Sequence, residues 1–385
     1  MKPLVRNIRR AAVLSTAMLL CSLCCASIRA IPIHSATSIP DSQQEEYPEN
    51  EDILIMFWNL ENFFDTIDGG AGESDREFSA HGTRHWGRKK FQAKCAAIAK
   101  TMMWVGDRQG RMPDIFAVAE VENRNVLRQL IEGTIIRKYG YSIVHYDSPD
   151  PRGIDVALLY RDQALELLES RPVRVHGTSP APAVTSPASA VSQPAASVPE
   201  RPSIEVQPKL VTRDILMTKF RVAGDTIAVL VNHHPSKYGG GDTDWRRDLA
   251  LARLKALKDS LVLHGVAKVV ATGDFNDTPE NTRFQMDTLA PFTNLAAPLS
   301  ARGEGTIRFN GRWDLIDMFM VTPALLPPAD RMEILHPPFL TAWDNVHPGE
   351  KPLRTYSGPR YLGGVSDHRP VILRLHQGGL SQSAP

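Results

Sequence analysis

Short apolar runs recur along this chain, and most of them stop on a polar side chain. Asp52–Trp58 runs into Asn59, Asp114–Ala119 into Glu120, Thr226–Asn232 into His233, and Lys268–Thr272 into Gly273 and Asp274. Runs of this length with β-branched and aromatic content read as strands. Tyr141–Tyr146 and Ile154–Tyr160 read as a strand pair joined by a turn over residues 147–153. Leu210–Arg221, Leu315–Val321 and Pro370–Leu375 complete the predicted strands. Two segments carry helical spacing instead. Phe91, Cys95, Ile98 and Met102 predict a helix over Arg88–Trp104, and Leu249, Ala252, Leu254 and Leu257 one over Asp244–Leu263. Strands interrupted by two helices predict two β-sheets packed face to face with helices outside.

The pattern fails in four places. Between Asn59 and about Gly87 the chain is rich in Gly, Asp and Ser and predicts a loop. Residues 31–50 are polar with scattered Pro and predict a flexible tether, and the tail from Gln377 predicts a loose end. In residues 177–203, 18 of 27 side chains are Pro, Ala or Ser and none is aromatic, too little apolar surface to fold. Chemistry-bearing motifs lie on both sides of this stretch, so it reads as a disordered insertion within one domain spanning residues 51–376.

The first thirty residues follow another logic. Lys2, Arg6, Arg9 and Arg10 precede an apolar run over Ala11–Cys25, the form of a secretory leader. The run is short for a membrane span. Cleavage near Ala26 or Ala30 and a retained signal anchor are the two outcomes it allows. The protein is therefore expected to be exported, to the periplasm or the exterior. Three of the four cysteines fall in this leader, so the remainder keeps only Cys95 and no internal disulfide.

Charge narrows the classes of function. The whole chain carries a net +1; without the leader it has 39 basic and 43 acidic residues, a net −4. This balance lacks the bulk electrostatics of a tight nucleic-acid binder, without excluding transient cleavage of nucleic acid.

The candidate chemistry sits at or within strands. Glu120 ends a buried run, and a carboxylate there carries a desolvation cost unless paired or bound to a cation. Glu122 is a rival whose position better suits the start of a helix. Asp155 and Asp317 lie inside apolar strands, where an acid usually has a partner such as a histidine. His233 and His234 are adjacent, so at most one enters a given site. Asp274 and Asn276 share a face while Phe275 points into the packing. Asn59 and Ser366-Asp367-His368 border further strands, and Arg152 lies in a turn, placed either to pair with phosphate or to be solvated. Each residue alone has an ordinary structural explanation. Together they offer carboxylates, amides and imidazoles suited to holding a hard divalent cation and activating water against a phosphoester.

The ordered set Asn59, Glu120, Arg152-Gly153-Ile154-Asp155-Val156-Ala157, Asn232-His233, Gly273-Asp274-Phe275-Asn276, Asp317 and Ser366-Asp367-His368 resembles the endonuclease/exonuclease/phosphatase family over about residues 51–376. The resemblance implies an α+β fold, a four-layer αββα sandwich of two mixed sheets flanked by helices. It also implies a Mg2+- or Mn2+-dependent phosphoesterase. By the same resemblance Glu120 would be the main metal ligand, with Asn59 and Asp367 close by. Asp274 would position or activate water, and Asn276 and His233 would hold the phosphate. His368 would stabilise developing charge, oriented by Asp155, while Asp317 would orient His233. Asn232-His233-His234-Pro235-Ser236 matches the family's Asn-His-x-Pro-Ser form, which favours His233 over His234. The chain departs from the pattern at Val118-Ala119, where many relatives have Leu-Gln.

The expected activity is hydrolysis of a phosphodiester by in-line attack of water, with DNA or RNA among the candidate substrates and a monomer without a stable protein partner. A phosphatase or phospholipase-like enzyme of the same fold, and a non-catalytic binding module, are the alternatives. A nuclease predicts basic and aromatic residues interleaved near the site, and Lys237, Tyr238, Trp245, Arg246 and Arg247, beside the Gly239–Gly241 run, offer a modest version.

Overall fold

A computed structural model of the chain describes residues 52–70, 72–180, 208–237, 243–285 and 291–376. The expected leader, tether and tail lie outside the described residues, as does most of the expected insertion.

Among the described residues the first eight strands are β1 (Ile53–Phe63), β2 (Ile115–Val121), β3 (Tyr141–His145), β4 (Asp155–Arg161), β5 (Glu166–Val173), β6 (Ile215–Val222), β7 (Asp225–His233) and β8 (Lys268–Asp274). The first sheet runs Glu333–Ile334, Val371–Leu375, β1, β2, β4, β3. The second runs β5, β6, β7, β8, Asp317–Val321, Thr293–Asn294. Each is mixed: β1 with β2 and β7 with β8 are parallel, and the other pairs are antiparallel. Among the described residues five α-helices accompany them: α1 (Glu73–Glu77), α2 (Arg88–Gln109), α3 (Arg124–Glu132), α4 (Asp244–Leu263) and α5 (Ala297–Ser300).

Alternation along β1 assigns the layers. Ile53, Ile55 and Phe57 enter the core shared with the second sheet and α4, including Val229, Val270, Leu251 and Leu254. Leu54, Met56 and Trp58 point the other way, onto Phe91, Cys95, Ile98 and Met102 of α2 and Leu127 and Leu130 of α3. Successive strand residues face opposite sides, so a strand buried on both faces reads as a continuous apolar run. The result is a four-layer αββα sandwich. Each fully buried apolar side chain contributes roughly 1.5–3 kcal/mol, which explains how a core without disulfides suffices. Cys95 is free and buried, its thiol pushed up to about 12 by burial.

Several boundaries differ from the sequence reading. β1 extends to Phe63 through a register shift after Asn59, and α2 continues to Gln109, ending at Gly110 in the left-handed region. α3 was foreshadowed only by the helix-start reading of Glu122 and had no expected bounds; Asn123 caps it, its side chain accepting from Val126 N. β5 was also missed, because it is a half-exposed edge strand with charged residues on its open face. The expected insertion begins too early. Thr178 bridges Lys209, and Ser179 N donates to Pro208 O at 3.0 Å, so residues 177–179 belong to the folded part.

Candidate active site at the strand ends

The site forms where β1, β2, β7 and β8 run out on one side of the sandwich. In the second sheet three residues stand in one row: His233 is in register with Asp274, and Asp274 with Asp317. Residues paired across neighbouring strands project to the same face, so Asp274 is flanked on both sides. Gly273 makes this row possible. Its φ is +152°, and a Cβ there would lie 2.1 Å from Asn232 O, so only glycine lets β7 approach β8 one residue before the row.

The first sheet supplies the facing groups. Asn59 donates from Nδ2 to Asp274 Oδ2 at 3.0 Å, and its Oδ1 accepts from Glu61 N at 2.9 Å. Ser366 Oγ donates to Asn59 O at 2.6 Å and accepts from His368 N at 2.9 Å. Trp58 Nε1 donates to His368 O at 2.9 Å. The closing segment is thereby held against the end of β1, and the His368 ring enters between the sheets. Its Nδ1 donates to Asp317 Oδ2 at 2.8 Å, leaving Nε2 3.8 Å from Asp274 Oδ2 and 3.9 Å from Asp367 Oδ1.

This geometry corrects two expected pairings. Asp317 orients His368, not His233. It lies beyond Asp274 from β7, on the side where the segment carrying His368 crosses, so His233 is out of its reach. Asp155 does not orient His368. It belongs to β4, which β2 and β1 separate from the closing strand. Its Oδ1 accepts from Ser148 N and Oγ, and its Oδ2 lies 3.2 Å from His145 Nε2. His233 Nδ1 is buried without a hydrogen-bond partner, while its Nε2 is 3.6 Å from Asp274 Oδ2 and 3.9 Å from Glu120 Oε1. His234 turns away and packs edge-on against Phe275, with ring centroids 4.9 Å apart.

Glu120 sits at a bulge in β2 with φ at +60°. Asn276 at +49°, Glu61 at +46° and Asn62 at +55° are also left-handed. Non-glycine residues there cost roughly 1–3 kcal/mol each, a strain found most often where a side chain is being aimed. Both hydrogen bonds to Glu120 end on Oε2, from Asn62 N at 2.9 Å and Arg152 at 3.3 Å. Arg152 also donates to Asn62 Oδ1 at 2.7 Å, so its guanidinium caps the carboxylate. Asn276 closes an Asx turn on Asp274 Oδ1 and donates from Nδ2 to His234 O at 3.0 Å. Asp367 remains partly exposed and pairs with Arg354 at 3.1 Å.

The environment separates the charge states. Burial lifts the Asp274 carboxyl to about 7, reinforced by Asp317 and opposed by His368. Burial opposes charge on His368 too, yet Asp317, Asp274 and Asp367 outweigh it and raise its pKa well above the ordinary value. His233 moves the other way: burial, then Arg213 and Arg152, hold it well below. Burial would raise Glu120, but Arg152 and His368 prevail and keep it low. The site thus holds a protonated imidazole, a neutral one, an ionised glutamate and an aspartyl group poised near neutrality.

The donor chemistry fits a hard divalent cation. Glu120 keeps Oε1 free of hydrogen bonds, and Asn59 and Asp367 add oxygens at the same strand ends. Among the described residues two carboxylate–imidazole groups have ligand atoms within 4.8 Å of one another: Asp274, Asp317 and His368 in the site, and His145, Asp147 and Asp155 away from it. Glu120 stands outside both. One or two carboxylates with water completing the shell is the Mg2+ habit, unlike the closed His/Cys/carboxylate cages of zinc.

A supporting network escaped the sequence reading. Glu61 Oε1 accepts from Arg354 at 2.9 and 2.6 Å, and Oε2 from Thr355 N at 3.0 Å. Fully buried Lys94 donates to Glu61 O at 2.6 Å and Thr355 Oγ1 at 2.9 Å. Burial raises Glu61 to about 7 and lowers Lys94 to about 8. Arg213 joins the turn before β4 to the end of β7, donating to Asp150 at 2.8 Å and His234 O at 2.9 Å. Glu61 carried a legible signal, an acid within the apolar run Leu60–Phe64; Arg354 and Arg213 carried none. The expected basic and aromatic cluster is only in part a free surface: Arg246 is exposed beside Trp245, and Lys237 is half-exposed. Arg247 is buried against Asp244 and Ser236 O, Lys237 lies 3.4 Å from Asp277, and Tyr238 falls outside the described residues.

No curated protein matches the chain significantly. Solved structures of similar outline include a humanized D. rerio TDP2 at 12% identity, covering 85% of this chain and 99% of that one, with a TM-score of 0.47. The human Nocturnin catalytic domain with bound sulfate is 14% identical over 84% of this chain and 94% of that one, with a TM-score of 0.49. An endonuclease/exonuclease/phosphatase from Bacteroides vulgatus is 14% identical over 84% and 98%, with a TM-score of 0.47. The description "Endonuclease/Exonuclease/phosphatase family" matches residues 54–192 and 188–377 of this chain, a span that takes in both sheets and every strand end at the site. The chain belongs to the endonuclease/exonuclease/phosphatase family, whose members are typically metal-dependent phosphoesterases and nucleases.

Proposed function

We propose that the chain is an exported, divalent-metal-dependent phosphodiesterase that hydrolyses its substrate, nucleic acid first among the candidates, by in-line attack of water. The observation that carries this reading is Asp274 set between two histidines of opposite charge preference. A base poised near pH 7 is well matched to taking a proton from water at neutral pH. As the water oxygen attacks phosphorus and the bond to the leaving oxygen breaks, that proton passes to an Asp274 oxygen. Negative charge grows on the phosphoryl oxygens, and the His368 imidazolium, fixed by Asp317, can donate to it from Nε2. Neutral His233 and the Asn276 amide offer further donors. Glu120, with Asn59 and Asp367, would hold Mg2+ or Mn2+. When bound, that ion would offset phosphate charge and orient the ester.

The test is cleavage of plasmid DNA, RNA and bis-p-nitrophenyl phosphate by the full protein with Mg2+, Mn2+ or EDTA, beside Asp274→Ala. Nicking of DNA or RNA that needs metal and Asp274 supports the nuclease reading. Turnover of the small ester alone moves the substrate to lipid, sugar or nucleotide phosphates. No metal-dependent turnover of any of them counts against an enzyme. Export rests on the basic and apolar pattern of residues 1–30, and a monomer on the absence of any partner-seeking motif. Fractionation of expressing cells and gel filtration test these two points.

A further inference from the structure

A second cluster of ligand-type side chains lies at the far edge of the first sheet. β3 ends at His145, and the turn that follows carries Asp147 back toward Asp155, the first residue of β4. One ligand atom from each of these three residues lies within 4.8 Å of the other two. β2 and β1 separate β4 from the strand that follows His368, so the cluster stands apart from the strand-end site.

The imidazole and the carboxylate meet without bonding. The His145 side chain is only 3% exposed and its Nε2 lies 3.2 Å from Asp155 Oδ2, yet Nε2 has no hydrogen-bond partner. The two atoms are near each other without the alignment that an N–H···O bond requires. Ligands held about 2.0–2.2 Å from one Zn2+ lie roughly 3.0–3.5 Å from each other. The observed spacing is therefore that of two donors aimed at a common third atom. Ser148 fixes the carboxylate for this purpose. Its N, at 2.9 Å, and its Oγ both donate to Asp155 Oδ1, leaving Oδ2 to the imidazole. Asp147 approaches from the open side. Its side chain is 90% exposed, and its Oδ1 is 4.0 Å from His145 Nδ1, beyond hydrogen-bonding reach. It can rotate onto an ion without giving up a bond to that ring.

A further buried acid adds to the negative field. Asp214 carries no hydrogen bond on either carboxylate oxygen, and it is paired with half-exposed Arg174 at 3.3 Å. A cavity of about 10 Å3, space for one water, is bordered by both Asp155 and Asp214.

We infer that His145, Asp147 and Asp155 form a second metal site, separate from the catalytic one, that takes Zn2+ with water completing its shell. Imidazole and carboxylate are both Zn2+ ligands. The nitrogen disfavours Mg2+ and Ca2+, which take oxygen shells, and there is no thiolate to draw Cu+. Zn2+ also imposes little geometry of its own, which suits donors from a strand end and a turn. Arg152, which caps Glu120, lies at the other end of the same turn, so the ion would fasten the segment that presents it.

The experiment is calorimetric titration of the full protein with ZnCl2, and separately MgCl2, beside His145→Asn, Asp147→Asn and Glu120→Gln. Iodoacetamide first blocks Cys21, Cys24 and Cys25, whose thiols would take Zn2+ themselves. Expected is a Zn2+ site with Kd between roughly 0.1 and 10 μM, weaker than a closed four-ligand site. Its affinity should fall at least about tenfold in His145→Asn and Asp147→Asn and persist in Glu120→Gln. Should His145→Asn not fold, exposed Asp147→Asn decides alone. No Zn2+ uptake up to roughly 100 μM, as when a proton rather than a metal joins His145 to Asp155, overturns the proposal. So does Zn2+ binding that His145→Asn and Asp147→Asn leave unchanged, or Mg2+ binding at this site as tight as Zn2+. Because the readout is binding, the result stands whether or not the protein hydrolyses phosphoesters.

Discussion

His368 Nδ1 lies 2.8 Å from Asp317 Oδ2, joining the closing segment of the first sheet to the strand Asp317–Val321 of the second. The bond fixes which nitrogen faces Asp274 and keeps the ring protonated.

Replacing that acid should therefore change a pH profile as well as a rate. His368 acts as the charged form, which is present below its pKa and lost as pH rises through it. Asp317 is the chief force holding that pKa up against burial. Asp317→Asn is expected to lower kcat/KM by about 10²–10⁴ and to move the alkaline limb of the profile to lower pH. An alkaline limb that stays in place would show that His368 is not the group titrating there.

Asp274 should register in stability as well as in catalysis. Its folded pKa is near 7 against an ordinary 3.8, so between these values the folded state holds a proton that the unfolded chain has released. Stability from this group is therefore lost as pH rises from about 4 to about 7. In EDTA, the Tm of Asp274→Asn relative to wild type should climb across that window, while turnover falls by about 10³ or more. A Tm difference independent of pH would contradict the assignment.

The two adjacent histidines should behave oppositely. His233→Ala removes a group 3.6 Å from Asp274 and is expected to lower kcat by about 10²–10³. His234→Leu keeps the buried packing against Phe275 and should retain activity within about threefold. Burial holds His234 near 3, so the wild type also loses stability as pH falls from about 6.5 toward 3. His234→Leu should flatten that slope in acid melts. Inactivity of a folded His234→Leu would reverse the assignment.

Lys94→Met tests the support beneath the site. The ammonium is fully buried, and removing it strips donors from Glu61 O and Thr355 Oγ1 while leaving the Glu61 carboxylate to Arg354 and Thr355 N. Loss of one partner from such a buried set costs about 3–5 kcal/mol, measurable by urea unfolding. A loss under about 1 kcal/mol would mean that the network tightens by relaxation of Arg354.

Periodicity and polar strand ends carried much of this in the sequence, because both are local. The apolar runs before Glu120 and Asp274 mark strands whatever their neighbours do. Pairings across sheets are not local. Whether Asp317 serves His233 or His368 depends on which strand lies beyond Asp274, and Asp155 was misassigned for the same reason. The Glu61–Arg354 contact spans 293 residues and has no periodic trace. The start of the short helix after Glu122 was read from that acid's position, but its span, legible from the Asn123 cap and the spacing of Val126, Leu127 and Leu130, was not, because it covers only nine residues.

The bridge between Thr178 and Lys209 has one further consequence. It draws together the two ends of the Pro-, Ala- and Ser-rich stretch, with Leu210 N bonded to Gly177 O at 2.9 Å. When two points of a chain are held together, the length between them can change at a penalty that grows only logarithmically, about 0.6 kcal/mol per doubling. The bridge lies where β5 ends and β6 begins, the same end of the sheet as His233. New sequence grafted between Ser179 and Pro208 would therefore be displayed beside the cleft without disturbing either sheet, an entry point for engineering selectivity by insertion.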